Sequence, residues 1–224
     1  MSETKKKNIK KRKKGIETTN KILEASADLF AHKGYDSVPM VKIAQVVGVK
    51  ESSLYNHFKS KAAILETLFD IFKKRAPEFR PSESELNKIL MFMQPEEIFK
   101  NILFYFGRHE DSIVENIAMV INNEKYRNAE AANVYYRCVV KEPSDYYERL
   151  IEKMSKRGII RQVDARIFAE QYNYVSISLT KEYFMAKNGL ADMQTVVKYM
   201  IKTINFFCNM MKGNAGDPGY EDKT

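Results

Sequence analysis

The chain has 224 residues, of which 44% are hydrophobic and 29% are charged, so it holds enough apolar material to build a buried core. No apolar run is long enough to span a membrane and no secretory leader is evident, which leads us to expect a cytoplasmic protein. Two cysteines and three histidines are widely separated, so neither a disulfide framework nor a metal site is predicted, and no cofactor is expected.

The formal net charge is +8, and most of it lies in the first 14 residues, where eight basic side chains accompany one acidic residue, Glu3. Like charges at this density repel one another and cannot bury apolar surface, so we expect residues 1–14 to form a disordered tail that favours polyanions. A solubilising extension is the plainer alternative. The basic residues next to the folded part are candidate DNA contacts: Lys11, Arg12, Lys13 and Lys14.

Apolar residues recur at helical spacing through the rest of the chain, which predicts an all-α protein of about nine to ten helices. Helices over 17–33, 39–47, 50–57 and 61–75 would form an N-terminal domain at residues 15–75. Two prolines within 76–81 mark a linker. A larger helical domain is expected at 82–212, beginning with a capping-box pattern at Ser82–Glu85 and broken at Pro143 and Gly158, and a loose acidic tail is expected at 213–224. The later helices of the larger domain are predicted near 96–106, 111–122, 125–140, 144–156, 164–187 and 192–212.

Residues 43–58 show the spacing of a helix-turn-helix. Ala44 is small enough to let a second helix approach, Gly48 can adopt the positive φ that the turn needs, and Leu54 can fill the space between the helices. Two ordinary packed helices joined by a glycine turn would give the same spacing. The other core positions of the motif are Ile43, Val47 and Phe58. Six residues are left to face outward, where they can read a major groove: Lys50, Ser52, Ser53, Tyr55, Asn56 and His57.

The run from Ile22 to Leu68 contains five short motifs in this order: Leu29-Phe30, Lys33-Gly34-Tyr35, Ile43-Ala44, Gly48-Val49 and Leu54-Tyr55-Asn56-His57-Phe58-Lys59-Ser60-Lys61. In these motifs and their order the run resembles the DNA-binding domain of the TetR family, over about the first third of the chain. The resemblance implies that Tyr55 and His57 touch phosphate or a thymine methyl group and that Lys61 binds phosphate, while Lys50, Ser52, Ser53 and Asn56 read the bases.

The chain departs from the family's pattern in two places, at the starts of the second and the fourth helix. Val38 and Pro39 stand where a hydroxyl residue often caps the second helix, so we expect Ser37 to take over the cap, with Pro39 in the first turn as a further candidate DNA contact. Ala63 stands where a glutamate often completes a capping box with Ser60, so that box is expected to be missing.

The resemblance also implies a homodimer on a palindromic DNA operator and a central cavity for a small, apolar or aromatic effector. Apolar stripes on the last two predicted helices indicate the dimer interface: Ile167, Phe168, Val175, Val197, Met200, Ile201, Ile204, Phe207, Cys208 and Met211. Side chains with apolar bodies and polar ends are the candidate ligand contacts: Tyr105, Arg108, Asn116, Met119, Tyr135, Tyr136, Arg137, Tyr172 and Tyr174.

Together these features predict a DNA-binding transcriptional regulator, most simply a repressor that a small ligand releases from DNA. The alternative is a ligand-independent, nucleoid-associated or division-linked protein on the same scaffold. An enzyme is not expected, because the sequence shows no nucleophile and base constellation, metal cluster or glycine-rich phosphate loop.

Overall fold

The computed structural model describes the backbone of residues 3–108 and 112–212 and the side chains of residues 12–104 and 112–212. Every regular element in these ranges is helical, which confirms the predicted all-α fold. None of the described helices is both long and apolar enough to cross a lipid bilayer. The α-helices are α1 (Glu3–Lys33), α2 (Met40–Val47), α3 (Glu51–His57), α4 (Lys61–Arg75), α5 (Glu83–Phe92), α6 (Pro95–Arg108), α7 (Ser112–Glu124), α8 (Ala129–Tyr135), α9 (Glu142–Lys156), α10 (Ala165–Lys187) and α11 (Met193–Lys212), with a 3-10 turn at Ala76–Phe79 and a π-helix at Tyr136–Lys141.

Helix α1 begins at Glu3, so the prediction of a disordered tail is wrong for residues 3–14. Residues 17–33 are already held as a helix by their buried face, and extending an existing helix adds one hydrogen bond for each residue fixed. Lysine and arginine also have high helix propensity, so charge repulsion alone does not decide the conformation of this segment. The acidic tail predicted at 213–224 lies outside the described residues.

The chain folds into two compact units, and their composition differs from the predicted domains. The first unit comprises Met1–Pro77 and Asp111–Tyr135, and the second comprises Glu78–Glu110 and Tyr136–Thr224. The segment that contains α7 and α8, expected in the C-terminal domain, therefore belongs with the N-terminal helices.

Helix α7 explains this arrangement, because it packs against both α1 and α4, while α8 packs against α7 and α4. The apolar face of α7 is fully buried at Ile117 and Ile121. At the surface, Lys73 of α4 lies 2.8 Å from a carboxylate oxygen of Asp70 and 3.2 Å from one of Glu130 on α8. The first unit is thus a helix-turn-helix domain with two further helices built into its core.

The second unit is centred on α10, which packs against α9 and α11, while α6 packs against α11. Its main core contains apolar and aromatic side chains from all five of its α-helices, among them Leu86, Phe99, Leu150, Tyr172 and Ile204. The capping box predicted at the start of α5 is present: Glu85 N–H donates to Ser82 Oγ at 3.3 Å, and Ser82 N–H donates to Glu85 Oε2 at 2.8 Å.

The π-helix at Tyr136–Lys141 stands where the sequence predicted a break at Pro143. A proline ring clashes with the carbonyl four residues earlier in an α-helix and has no N–H to donate, so the ordinary register cannot continue through Pro143. The buried Asn173 on α10 donates from Nδ2 to the carbonyl oxygens of Val139 (3.2 Å) and Val140 (2.9 Å). The chain therefore stays helical through the proline, because a side chain from another helix satisfies the displaced carbonyls.

Candidate DNA-binding site

The residues predicted to form the helix-turn-helix core lie in the interior of the first unit. Ile43, Ala44 and Leu54 are at most 2% exposed, Phe58 is also buried, and Val47 is half-buried. Helix α2 packs against both α1 and α3, so this small core holds α3 in place. Leu54 is the only residue within α3 that is buried.

The turn between α2 and α3 depends on Gly48. Its φ of +75° lies in the left-handed region, and its N–H donates to the carbonyl oxygens of Ala44 and Gln45 at the end of α2. The following N–H, of Val49, also donates to the Ala44 carbonyl, at 3.0 Å. This pattern is a glycine C-cap, which ends α2 and redirects the chain into α3.

The exposed face of α3 carries Ser52, Tyr55 and Asn56, which lie on one side of the helix because they are three and four residues apart. Tyr55 is 41% exposed although it is aromatic. Lys50 is the exposed N-cap residue, and its side chain makes no capping hydrogen bond. Ser53 is half-buried and contributes less to this face. The face presents hydrogen-bond donors and acceptors of the types that read base edges in a major groove.

The other predicted DNA contacts lie on α1 and at the start of α2. Arg12, Lys13 and Lys14 are exposed on α1, whereas the side chain of Lys11 lies outside the described part of the chain. Pro39 is the exposed N-cap residue of α2, and no side chain caps that helix, so the cap expected from Ser37 is not formed.

His57, the last residue of α3, is half-buried against α1. Its Nδ1 atom lies 2.9 Å from Oγ1 of Thr19, and that hydroxyl also donates to the Gly15 carbonyl at 3.1 Å. Thr19 was not among the residues predicted for the site. Two threonines inside a helix give no signal in the sequence that one of them touches a residue 38 positions later.

Lys61, predicted to bind phosphate, has partners within the protein. Its ammonium group donates to the carbonyl oxygens of Tyr35 (2.8 Å) and Asp36 (3.3 Å), and it lies 4.3 Å from the centre of the Tyr35 ring. An ammonium has three donors, so one remains for a phosphate. Lys61 therefore helps to hold the loop between α1 and α2.

The same loop is held from its other side by the end of α7. Arg127 binds the buried Glu124 carboxylate through two hydrogen bonds of 2.7 and 2.9 Å, and its third nitrogen lies 3.5 Å from Asp36. Burial, together with the nearby carboxylates of Asp36 and Glu124, raises the pKa of Tyr35. A paired arginine is the reason that a carboxylate can be buried at Glu124.

The candidate ligand residues are divided between the two units. Asn116, Met119 and Tyr135 belong to the first unit and are half-buried, while Tyr136, Arg137, Tyr172 and Tyr174 belong to the second. Tyr136 and Tyr174 are more than half exposed, and Arg137 pairs with Glu142 at 2.8 Å. The side chains of Tyr105 and Arg108 lie outside the described residues, and in the described parts of the chain no cluster of histidine, cysteine, aspartate and glutamate could hold a metal ion.

Among the candidates whose side chains are described, Tyr172 lies in a buried aromatic cluster of the second unit. Its ring centre is 4.8 Å from that of Phe99 and 4.9 Å from that of Tyr147. Burial raises the pKa of Tyr147 to about 12, so its phenol stays neutral. Phe99 and Tyr147 were missed because their spacing along separate helices is that of ordinary core residues.

The prediction of a dimer interface is wrong at four residues, because they are already buried within the protomer: Met200, Ile204, Cys208 and Met211. These four side chains form the edge of α11 that packs into the core of the protomer. A second edge of the helix carries apolar residues that are exposed. Ile167 and Val175 of the predicted set are exposed, and the others are half-buried: Phe168, Val197, Ile201 and Phe207. Half-buried Val197 and Ile201 line a shallow depression of about 470 Å³ along α11.

Comparison with known proteins assigns the helix-turn-helix. Residues 22–68 match the tetR family of bacterial regulatory proteins. These residues, which hold the helix-turn-helix, are therefore similar to the DNA-binding region of TetR-family regulators. Over 47 residues the chain is 45% identical to IcaR of Staphylococcus aureus, the negative transcriptional regulator of the biofilm operon icaADBC. This match covers 21% of this chain and 25% of IcaR. Over 124 residues the chain is 28% identical to the nucleoid occlusion factor SlmA of Vibrio cholerae, which is 51% of this chain and 60% of that protein. The chain thus spans less than two thirds of the length of either relative.

Solved structures share the fold over most of the chain, among them PfmR, a TetR family transcriptional regulator. PfmR from Thermus thermophilus aligns with a TM-score of 0.58 at 19% identity, covering 82% of this chain and 97% of its own. AibR in complex with isovaleryl coenzyme A and operator DNA aligns with a TM-score of 0.56 at 18% identity, covering 82% and 96%. At this level of identity the likeness extends to the fold and no further.

The departures from the TetR pattern now have structural reasons. Val38 is 1% exposed, so the position that often carries a capping hydroxyl serves the core here. Ser60 still caps α4, because its Oγ accepts from the N–H of Ala63 at 3.1 Å. Only the glutamate half of that capping box is missing.

We expect the two glycines of the DNA-binding region to respond oppositely to alanine. A Cβ atom would meet no other atom within 4 Å at either Gly48 or Gly15, so only the backbone differs. Gly48→Ala places a side chain in the left-handed region and should lower the free energy of unfolding by about 1 kcal/mol. Gly15→Ala, inside α1, should raise it by about 0.5–1 kcal/mol. Urea unfolding followed by circular dichroism measures both, and equal effects would contradict the role given to the turn.

Proposed function

We propose that this protein is a sequence-specific transcriptional repressor of the TetR family that binds a palindromic operator as a homodimer and is released by a small, largely apolar ligand. The observation that carries the proposal is the face of Ser52, Tyr55 and Asn56, which is exposed on a short helix held by a buried core. A helix presented in this way fits the major groove, and its exposed polar groups suit base recognition.

The relatives support repression and leave one alternative. IcaR is a negative transcriptional regulator, and its similarity covers 47 residues of this chain. SlmA is a nucleoid occlusion factor, and its similarity covers a longer part of the chain. A ligand-independent protein that binds many dispersed sites is therefore the second candidate function.

The proposal is tested by selecting duplexes from a random pool with the full chain. We expect a palindromic sequence to be enriched, and Asn56→Ala to weaken binding to it by about 1–3 kcal/mol while binding to unrelated duplex is unchanged. Asn87→Ala, at an exposed asparagine on α5 of the other unit, is the matched control and should bind as the wild type does. Enrichment of no sequence would overturn the proposal.

Mapping bound sites across a bacterial genome separates the two candidate functions. A repressor should occupy few copies of the selected palindrome and leave them when its ligand is added, whereas an organiser should occupy many dispersed sites with or without a ligand. The complex of AibR with isovaleryl coenzyme A supports a ligand with an apolar part. Isovaleryl coenzyme A and free isovalerate are therefore the first compounds to titrate into the complex of protein and selected duplex.

We further propose that the basic start of α1 supplies most of the non-specific affinity. Residues 15–61 contain six lysines and five acidic residues, so the formal charge of the helix-turn-helix region is nearly neutral. Exposed Arg12, Lys13 and Lys14 extend α1 beyond it, and each phosphate that a cation neutralises releases counterions.

Replacing Arg12, Lys13 and Lys14 by glutamine should flatten the dependence of affinity on salt. The slope of log K against log salt changes by about 0.9 for each phosphate that is no longer neutralised, so a change of about 2 to 3 per protomer is expected. Fluorescence anisotropy with the selected duplex between about 50 and about 200 mM salt measures it. The control replaces three exposed cations of the second unit, Lys88, Arg157 and Lys181, and equal slopes for both variants would contradict the proposal.

The homodimer is proposed to form through the exposed apolar edges of α10 and α11. These edges carry Ile167 and Tyr174 on α10, and Tyr199, Phe206 and Met210 on α11, each more than 40% exposed. Apolar side chains gathered in this way on two long helices fit a four-helix interface with a second copy.

Phe206→Asp should convert the dimer to a monomer, because a carboxylate buried in an apolar interface has no partner. Asn205→Asp is the control, since the neighbouring residue of the helix points about 100° away and the added charge is the same. Light scattering after size-exclusion chromatography should show half the mass for Phe206→Asp alone. A dimer that survives Phe206→Asp would place the interface elsewhere.

A further inference from the structure

One hydrogen-bonded chain links α1 to the end of the recognition helix α3. Thr19 Oγ1 donates to the Gly15 carbonyl at 3.1 Å and lies 2.9 Å from His57 Nδ1. A hydroxyl has a single proton, and here the Gly15 carbonyl receives it. Towards the imidazole the Thr19 hydroxyl can therefore only accept, so the proton of the neutral ring sits on Nδ1.

This assignment decides what the other ring nitrogen of His57 can do. In the described part of the chain Nε2 has no hydrogen-bond partner, and His57 is half-buried at the end of the face that carries Tyr55 and Asn56. With Nδ1 protonated, a neutral ring presents a lone pair at Nε2, which cannot bond to a phosphate oxygen. Only the imidazolium, with both nitrogens protonated, can donate there.

We propose that Thr19 is a positioning residue that fixes the tautomer of His57, so that the contact of His57 with a DNA phosphate requires the uptake of a proton. The inference rests on the proposed DNA-binding function and adds a regulatory property to it. Because the complex holds more protons than the free protein, affinity for DNA rises as the pH falls.

Thr19 is the hydrogen-bond partner of His57 among the described residues, and no charged group of a neighbouring element takes its place. Among the described residues none of them forms a hydrogen bond or ion pair with His57, and Glu17 and Lys21 are paired with each other at 2.8 Å. Lys61 is engaged at the carbonyl oxygens of Tyr35 and Asp36. The groups on α1, α2, α3 and the segment that follows α3 are Lys13, Lys14, Glu17, Lys21, Lys42, Glu51, Lys59 and Lys61.

The test compares pH profiles of DNA binding by the full chain, measured by fluorescence anisotropy with the selected palindromic duplex at constant ionic strength. From about pH 8 to about pH 6 the Kd of the wild type should fall about tenfold, since one bound proton changes affinity by up to tenfold per pH unit. Thr19→Val frees the neutral ring to protonate Nε2 instead, so its Kd should change by less than about twofold over the same range.

Three variants keep the result unambiguous. Thr18→Val removes the neighbouring hydroxyl, which donates only to the Lys14 carbonyl, and should keep the wild-type profile. Thr19→Ser restores the hydroxyl and should restore the profile. His57→Gln cannot titrate and should abolish it. If Thr19→Val binds more weakly at every pH with the wild-type slope, Thr19 has only a structural role, and that result overturns the inference.

Nuclear magnetic resonance of the ¹⁵N-labelled imidazole in the free protein tests the same point without DNA. We expect the neutral His57 ring to carry its proton on Nδ1 in the wild type and on Nε2 in Thr19→Val. An Nε2 proton in the wild type overturns the inference. If no duplex binds at any pH the proposed function fails, whereas binding with identical pH slopes in the wild type and Thr19→Val refutes this inference alone.

Discussion

Helix α3 is seven residues long and buries one side chain of its own, Leu54, and this constraint shapes the DNA-binding region. A helix of that length is unstable in isolation, and burial of one leucine contributes about 1.5–3 kcal/mol. Its position therefore depends on the glycine turn before it and on Phe58 after it, which is also buried. The arrangement leaves the remaining surface of α3 available to DNA.

The loop that precedes α2 shows that this region is not held by apolar packing alone. Lys61 donates to two carbonyl oxygens of the loop, and Arg127 reaches Asp36 while neutralising the buried Glu124. Polar contacts of this kind favour one loop geometry, because a displaced loop would leave the Lys61 ammonium without the two carbonyl oxygens that accept from it. Helices α7 and α8 are thus part of the structure that orients the helix-turn-helix.

Sequence reasoning succeeded where a local pattern has one physical solution. The spacing of Ala44, Gly48 and Leu54 fixes a glycine turn between two helices, and Ser82 with Glu85 forms the predicted capping box. Sequence reasoning failed where the prediction required knowing which element packs against a given helix face. The apolar stripe of α11 does not reveal which edge faces its own core, so Met200 was placed at the interface although it is buried in the protomer. Nor does periodicity disclose that α7 packs against α1 and α4.

The π-helix before α9 has a consequence for variation among related chains. Pro143 displaces the carbonyls of the preceding turn and Asn173 satisfies them, so the two positions form one unit although they lie far apart in sequence and on different helices. A chain that replaces the proline no longer needs an amide at the position of Asn173, and an apolar residue there becomes tolerable. A chain that keeps the proline without the amide retains only the Ser144 hydroxyl, which donates to the Val140 carbonyl at 2.8 Å, and loses the donor to the Val139 carbonyl. The two positions should therefore change together as the sequence diverges.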